Sequence, residues 1–217
     1  MRPERLHVGG LVPFSTVDFP GRLCAVIFCQ GCPWRCRYCH NPHLQPFTDG
    51  GLAWQTVADF LKSRRGLLDA VVFSGGEPTA QRGLEAAMRF ARRLGFQIGL
   101  HTAGILPDRL RQVLPLVDWV GLDIKAPFDT RYTAVTGVRA SWIPAGASLD
   151  AVLEEHVDYE VRTTVHPALL DEAAKSTIQA ELAARGAKPT KWQTFRPQGC
   201  MDPELLTRGK DAPPAKR

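Results

Sequence analysis

The sequence predicts an α/β fold built around a parallel sheet, and three observations carry that reading. Short continuous apolar runs alternate with amphipathic stretches along the chain. Most of these runs end in a polar or glycine-bearing segment. The 217 residues are 44% hydrophobic and 23% charged, which suits one globular domain and excludes a mostly disordered chain.

The elements follow in order. Leu23-Cys24-Ala25-Val26-Ile27-Phe28 has the pattern of a strand buried on both faces. Residues 54–65 read as a helix with Trp54, Val57, Phe60 and Leu61 on one side. Asp69–Phe73 is a second strand, ending in Ser74-Gly75-Gly76-Glu77-Pro78. A helix from Thr79 to Leu94 follows, stopped by Gly95. Phe96–Leu100 is the third strand, ending at His101-Thr102-Ala103-Gly104. A short helix over 107–115 leads to a fourth strand, Val117–Ile124. Leu149, Val152, Leu153 and His156 mark the next helix, and Tyr159–Val165 the fifth strand. Ile178 and Leu182 lie on a helix ended by Gly186, before a sixth strand over Lys191–Phe195. The expected domain covers 1–200. Residues 201–217 are expected as a tail, disordered from Asp211.

Six such strands fit a doubly wound sheet or a barrel-like sheet, each with right-handed crossovers. In a barrel the C-terminal strand ends form one rim. The cysteine-rich segment, Gly75-Gly76-Glu77, His101-Thr102, Asp123/Lys125 and Arg196 all fall at such ends. Order along the chain therefore gathers an active-site arrangement on one side.

Composition narrows the function class. The formal charge is +5, from 27 Lys and Arg against 22 Asp and Glu. An excess this mild, without long basic runs, does not point to nucleic acid. No apolar stretch approaches the ~20 residues of a membrane helix. The first residues lead into no apolar secretory core. A cytoplasmic location is expected, where thiols stay reduced.

Five of the six cysteines, Cys24, Cys29, Cys32, Cys36 and Cys39, crowd into one stretch, and Cys200 stands apart. A disulfide framework would spread them to close long loops. Cys32, Cys36 and Cys39 have C-x3-C-x2-C spacing. Three thiolates on a short loop can bind three irons of a cubane cluster and leave the fourth open for a ligand. A zinc site completed by His40 or Cys200 is the competing reading, in a binding module without catalysis.

The segment Cys32-Pro33-Trp34-Arg35-Cys36-Arg37-Tyr38-Cys39, followed by Gly75-Gly76-Glu77 after the second strand, resembles the two signatures of radical S-adenosylmethionine enzymes. Ser15-Thr16-Val17-Asp18-Phe19-Pro20-Gly21-Arg22, Phe28-Cys29-Gln30-Gly31-Cys32-Pro33 and Cys39-His40-Asn41-Pro42 are similar to the branch that activates glycyl-radical enzymes. With Thr194–Cys200, they most resemble the activating proteins of anaerobic ribonucleoside-triphosphate reductase. The resemblance spans approximately residues 8–200.

The resemblance implies an incomplete (β/α)6 barrel, open on one side. It implies one [4Fe–4S] cluster on Cys32, Cys36 and Cys39, and S-adenosylmethionine as the second cofactor. Reductive cleavage of S-adenosylmethionine would give a 5′-deoxyadenosyl radical that takes hydrogen from a glycine of a partner enzyme. Gly75 and Gly76 would let backbone approach the methionyl group. Glu77 would orient that segment or pair with the amino group. Asp123-Ile124-Lys125 matches an Asp-x-Lys contact to the ribose, and Arg162 would face the methionyl carboxylate. Tyr38, with His40, would pack on adenine. His101 is the one further histidine on the expected rim. Cys24 reads as a buried strand residue, and Cys29 lies near the cluster without a role. A one-electron donor such as a flavodoxin or ferredoxin is implied. Other radical enzymes of this kind would act on a small molecule or on pyruvate formate-lyase.

Overall fold

The computed structural model describes residues 3–208. Seven strands form one sheet in sequential order: β1 (Val8–Ser15), β2 (Cys24–Cys29), β3 (Ala70–Gly75), β4 (Gln97–Thr102), β5 (Trp119–Asp123), β6 (Asp158–Val165) and β7 (Lys191–Thr194). From β2 onward every pairing is parallel; β1 runs antiparallel to β2. The helices are α1 (Trp54–Ser63), α2 (Leu84–Arg93), α3 (Pro107–Val113), α4 (Thr130–Thr136), α5 (Trp142–Glu155), α6 (Glu172–Ala184) and α7 (Pro203–Arg208).

The two faces of the sheet settle the choice between architectures. Alternate residues such as Ile27, Phe73, Leu100, Leu122 and Val161 point outward and pack with Leu61, Met88, Leu110, Leu149 and Ile178 of the helices. The intervening residues form a second cluster of Phe19, Cys24, Val26, Ala70, Val72 and Trp119, with no helical residue among them. A sheet whose inner face packs on itself is a barrel, not a doubly wound layer. Phe19 stacks on Trp119 with ring centroids 5.5 Å apart and fills the N-terminal end of the interior. Gly99 makes room there, because a Cβ would stand 3.0 Å from the Phe19 ring.

The barrel does not close: β1 and β7 are the two edges of the sheet. β1 is the strand the sequence reading lacked, so the sheet has seven strands rather than six. Gly9, Gly10 and Pro13 hide its pattern, and an edge tolerates such residues. Three further differences are local. The helix expected from Thr79 opens as a 3-10 turn, Pro78–Ala80, before α2. α4 had no clear apolar period, and α5 starts at Trp142, ahead of the residues that marked it. Residues 201–208 are not simply tail, since α7 buries Leu205 completely. The stretch from Asp211 lies outside the described residues.

Candidate active site

A cavity of about 230 Å³ opens at the C-terminal ends of the strands. Cys32, Cys36 and Cys39 line one side of it, and Gly75 and Gly76 another. Asp123, Lys125 and Arg162 complete the polar wall, while Tyr38 and His40 lie at the cysteine side. These predicted residues therefore meet at one place. Glu77 and Ile124 do not line it.

The cysteine loop is held through its backbone. Arg35 and Arg37 donate their amides to the Thr136 and Val135 carbonyls at the end of α4, both at 2.9 Å. Cys32 donates to Gln45 at 3.0 Å, and the Arg35 guanidinium donates back to the Cys32 carbonyl at 2.6 Å. Trp34 is buried edge-on against Tyr132. Burial pushes the Cys32 thiol up to about 12, and it raises the Cys36 thiol as well. Bare thiolates are disfavoured here, so a ligand set of this kind needs a cationic group against it.

The C-terminal segment crosses behind this loop as a strap. Arg37 pairs with Asp202 at 2.5 Å and Glu204 at 2.7 Å. The Cys200 thiol lies 3.4 Å from the Arg37 carbonyl. Gly199 sits with φ +79° against the His40 carbonyl, where a Cβ would come within 2.1 Å. His40 itself faces Phe195 across 6.1 Å.

The Gly75-Gly76 pair is explained first by the chain's own packing. A Cβ on Gly75 would meet the Cys29 nitrogen at 2.5 Å, and one on Gly76 the Gly31 oxygen at 2.4 Å. Gly76 and Glu77 donate to the carbonyls of Cys29 and Gly31, both at 2.9 Å. The glycine turn is thus fastened to the residues leading into the cysteine loop. The Glu77 carboxylate, fully buried, accepts from Thr79 twice, from the Thr102 hydroxyl and from the Ala103 amide. Burial raises its pKa, and these four donors oppose the rise. These bonds tie the carboxylate to the turn after Gly76 and to the end of β4.

Asp123 sits between two cations. The Arg162 guanidinium reaches it at 3.0 Å and the Lys125 ammonium at 3.5 Å. Burial would raise the Asp123 pKa, but Arg162 and Lys125 overcome it and hold it below its ordinary value. Gly121 gives Arg162 its space, since a Cβ there would stand 2.8 Å from the guanidinium. Lys125 also lies over the Tyr38 ring at 5.5 Å. The Tyr38 hydroxyl is buried with no hydrogen-bond partner among the described residues. Ile124 is a core residue with no exposed surface, and its amide donates to the Arg162 carbonyl at 2.9 Å.

The sequence reading missed Ser74, Thr164 and Gln193 on the cavity wall. Thr164 follows Arg162 by two residues on β6 and pairs with Gln193 on β7. Strand alternation was the available signal for both. Cys29 is fully buried on the outer face and Cys24 on the inner face, and neither lines the cavity. Among the described residues, no three His, Cys, Asp or Glu side chains gather closely enough to hold a single metal ion. Ligands to three separate irons need no such common point, and the three thiols around one cavity fit that donor set.

The pattern of the Radical SAM superfamily, SAM being S-adenosylmethionine, matches residues 26–180. The chain belongs to this superfamily. It is 32% identical over 214 residues to a Methanocaldococcus jannaschii protein provisionally named a glycyl-radical enzyme activating enzyme, covering 91% of this chain and 83% of that one. It is 30% identical to the pyruvate formate-lyase-activating enzyme of Streptococcus mutans, over 57% of this chain and 52% of that one. Its fold is similar to Streptococcus suis SuiB bound to precursor peptide SuiA, with TM-score 0.66 and 12% identity over 85% of this chain and 44% of that one. The chain is therefore a radical SAM enzyme with the partial-barrel fold. No helix among the described residues is long and apolar enough to cross a membrane.

Proposed function

We propose that this chain activates a glycyl-radical enzyme by abstracting hydrogen from a backbone glycine, with anaerobic ribonucleoside-triphosphate reductase as the partner. One observation carries the reading. The cavity holding the three cysteines is walled last by β6 and β7, and the sheet stops there instead of closing. A protein loop can enter through such an opening, whereas small-molecule sites are clefts or cavities that bury most of the ligand's surface. The names of the relatives from M. jannaschii and S. mutans support activation as the reaction. The Ser15–Arg22 and Thr194–Cys200 segments support the reductase as partner.

Cys32, Cys36 and Cys39 would hold one [4Fe–4S] cluster. When bound with S-adenosylmethionine and reduced by a donor such as flavodoxin or ferredoxin, it supplies the 5′-deoxyadenosyl radical. The chain's own residues bind, orient and shield. Arg162 and Lys125 present cations to the methionyl carboxylate and nearby groups, and Asp123 offers acceptors to the ribose hydroxyls. Tyr38 and His40 would flank the adenine. Glu77 fixes the glycine turn through Thr79, Thr102 and Ala103. The entering loop excludes water at the moment of hydrogen transfer. The reaction belongs to an oxygen-poor cytoplasm.

The test is electron paramagnetic resonance on the reconstituted, reduced chain with S-adenosylmethionine and a candidate partner. A glycyl-radical doublet on the reductase is the expected result. A doublet only on pyruvate formate-lyase would reassign the partner. No release of 5′-deoxyadenosine would overturn the activity itself.

A further inference from the structure

His101, one residue before the end of β4, lies on the inner face and lines the cavity, with its ring edge-on to Trp119 at 5.6 Å. Its two nitrogens have different neighbours. Nε2 lies 2.8 Å from the Asp18 carbonyl oxygen, and Nδ1 lies 3.3 Å from the Ser74 hydroxyl. A carbonyl can only accept, so Nε2 carries a proton. Burial, helped by the nearby Arg162 charge, holds the imidazole neutral by lowering its pKa to about 4. Nδ1 is then bare, and the Ser74 hydroxyl must donate to it. A hydroxyl has one proton and two lone pairs. With its proton committed to His101, Ser74 Oγ offers the cavity only lone pairs.

We propose that Asp18, His101 and Ser74 form a positioning relay that turns Ser74 Oγ into a dedicated acceptor for the ammonium group of bound S-adenosylmethionine. This rests on the cofactor assigned under the proposed function. The cavity is polarised to suit a zwitterion. Its cations, Arg162 and Lys125, belong to β6 and to the residues just after β5. Ser74 lies on β3, beyond β4 in the sheet. A carboxylate at Ser74 would meet lone pairs, whereas an ammonium finds an acceptor.

The relay also gives work to a segment that no other part of the site uses. Asp18 lies in the connection from β1 to β2, where its carboxylate accepts from the Ser15 hydroxyl and Phe19 is stacked under Trp119. The Ser15–Gly21 motif thereby fixes the carbonyl that sets the histidine tautomer.

The experiment titrates the cluster-loaded chain calorimetrically with S-adenosylmethionine and with its analogue lacking the amino group. Ser74→Ala should weaken S-adenosylmethionine about tenfold, as a lost hydrogen bond to a charged group does. The analogue should lose nothing, and Ser74→Thr, which keeps the hydroxyl, should restore the affinity. His101→Phe should reproduce the selective loss. Equal losses for both ligands, or none, overturn the relay while leaving the proposed function standing. Failure of the unaltered chain to bind S-adenosylmethionine would sink both. Nitrogen-15 NMR of the histidine-labelled chain at neutral pH gives an independent reading. A proton on Nε2 alone is expected, and a proton on Nδ1 overturns the relay.

Discussion

The outer and inner walls of this barrel are made from the same strands, one residue out of step, and they do opposite work. Outward residues such as Phe73, Leu100 and Leu122 are large, aliphatic or aromatic, and sealed by helices. Inward residues are mostly hydrophobic at the N-terminal end, around Phe19 and Trp119, with Phe28 extending that cluster along β2. Towards the other end they become Ser74, His101, Asp123, Arg162 and Thr164. Burying apolar surface outside contributes stability. Burying charges inside costs free energy unless each is paired, as Asp123 is with Arg162 and Lys125. The lesson is that the fold tolerates a polar interior because its outer wall carries the stability.

Substitutions can break this division of labour or sharpen it. The largest effect is expected at the rim. Cys36→Ala should abolish S-adenosylmethionine cleavage and the brown colour of the reconstituted cluster. Cys24→Ala, in the apolar end of the same interior, should retain both. Loss of colour in both variants would erase the distinction between rim and interior. The outer wall comes next. Leu100→Ala should destabilise the chain by about 2–5 kcal/mol in denaturant unfolding, with cleavage per folded molecule unchanged. Reduced cleavage in the folded fraction would mean the walls are not independent. The smallest effect is expected inside. Gly121→Ala pushes on the Arg162 guanidinium, and overpacking of this kind costs about 1–3 kcal/mol. Its signature should be weaker S-adenosylmethionine binding in calorimetry, because Arg162 is displaced from Asp123.

The outer wall was legible in the sequence because apolar runs and their polar ends need no partner to be seen. Five of the six expected strands overlap closely with β2 to β6, and the sixth with β7. β1 was not, since two glycines and a proline mask its strand character. The cysteine loop stood out by its spacing, which by itself left a cluster and a zinc site both open. The inner wall was partly legible. Asp123, Lys125 and Arg162 stood out by charge, but Ser74, Thr164 and Gln193 did not, because a neutral residue declares its role only through the neighbours it meets. Ile124 was drawn into the site by the motif around it, though its side chain belongs to the core. Glu77 shows the same limit: its type was informative, but its contacts to Thr79, Thr102 and Ala103 could not be read from the sequence.

The strap behind the cysteine loop has a consequence for biogenesis. Arg37 and its partner Asp202 are 165 residues apart in sequence, so the loop leaves the ribosome long before the segment that backs it. Contacts of such separation form late, after the entropy of closing the intervening chain has been overcome. Iron and sulfide delivered to a nascent chain would meet three thiols on an unsupported loop. If the three cysteines hold the proposed cluster, their loop gains its full backing only once the chain has been made through Asp202 and Glu204.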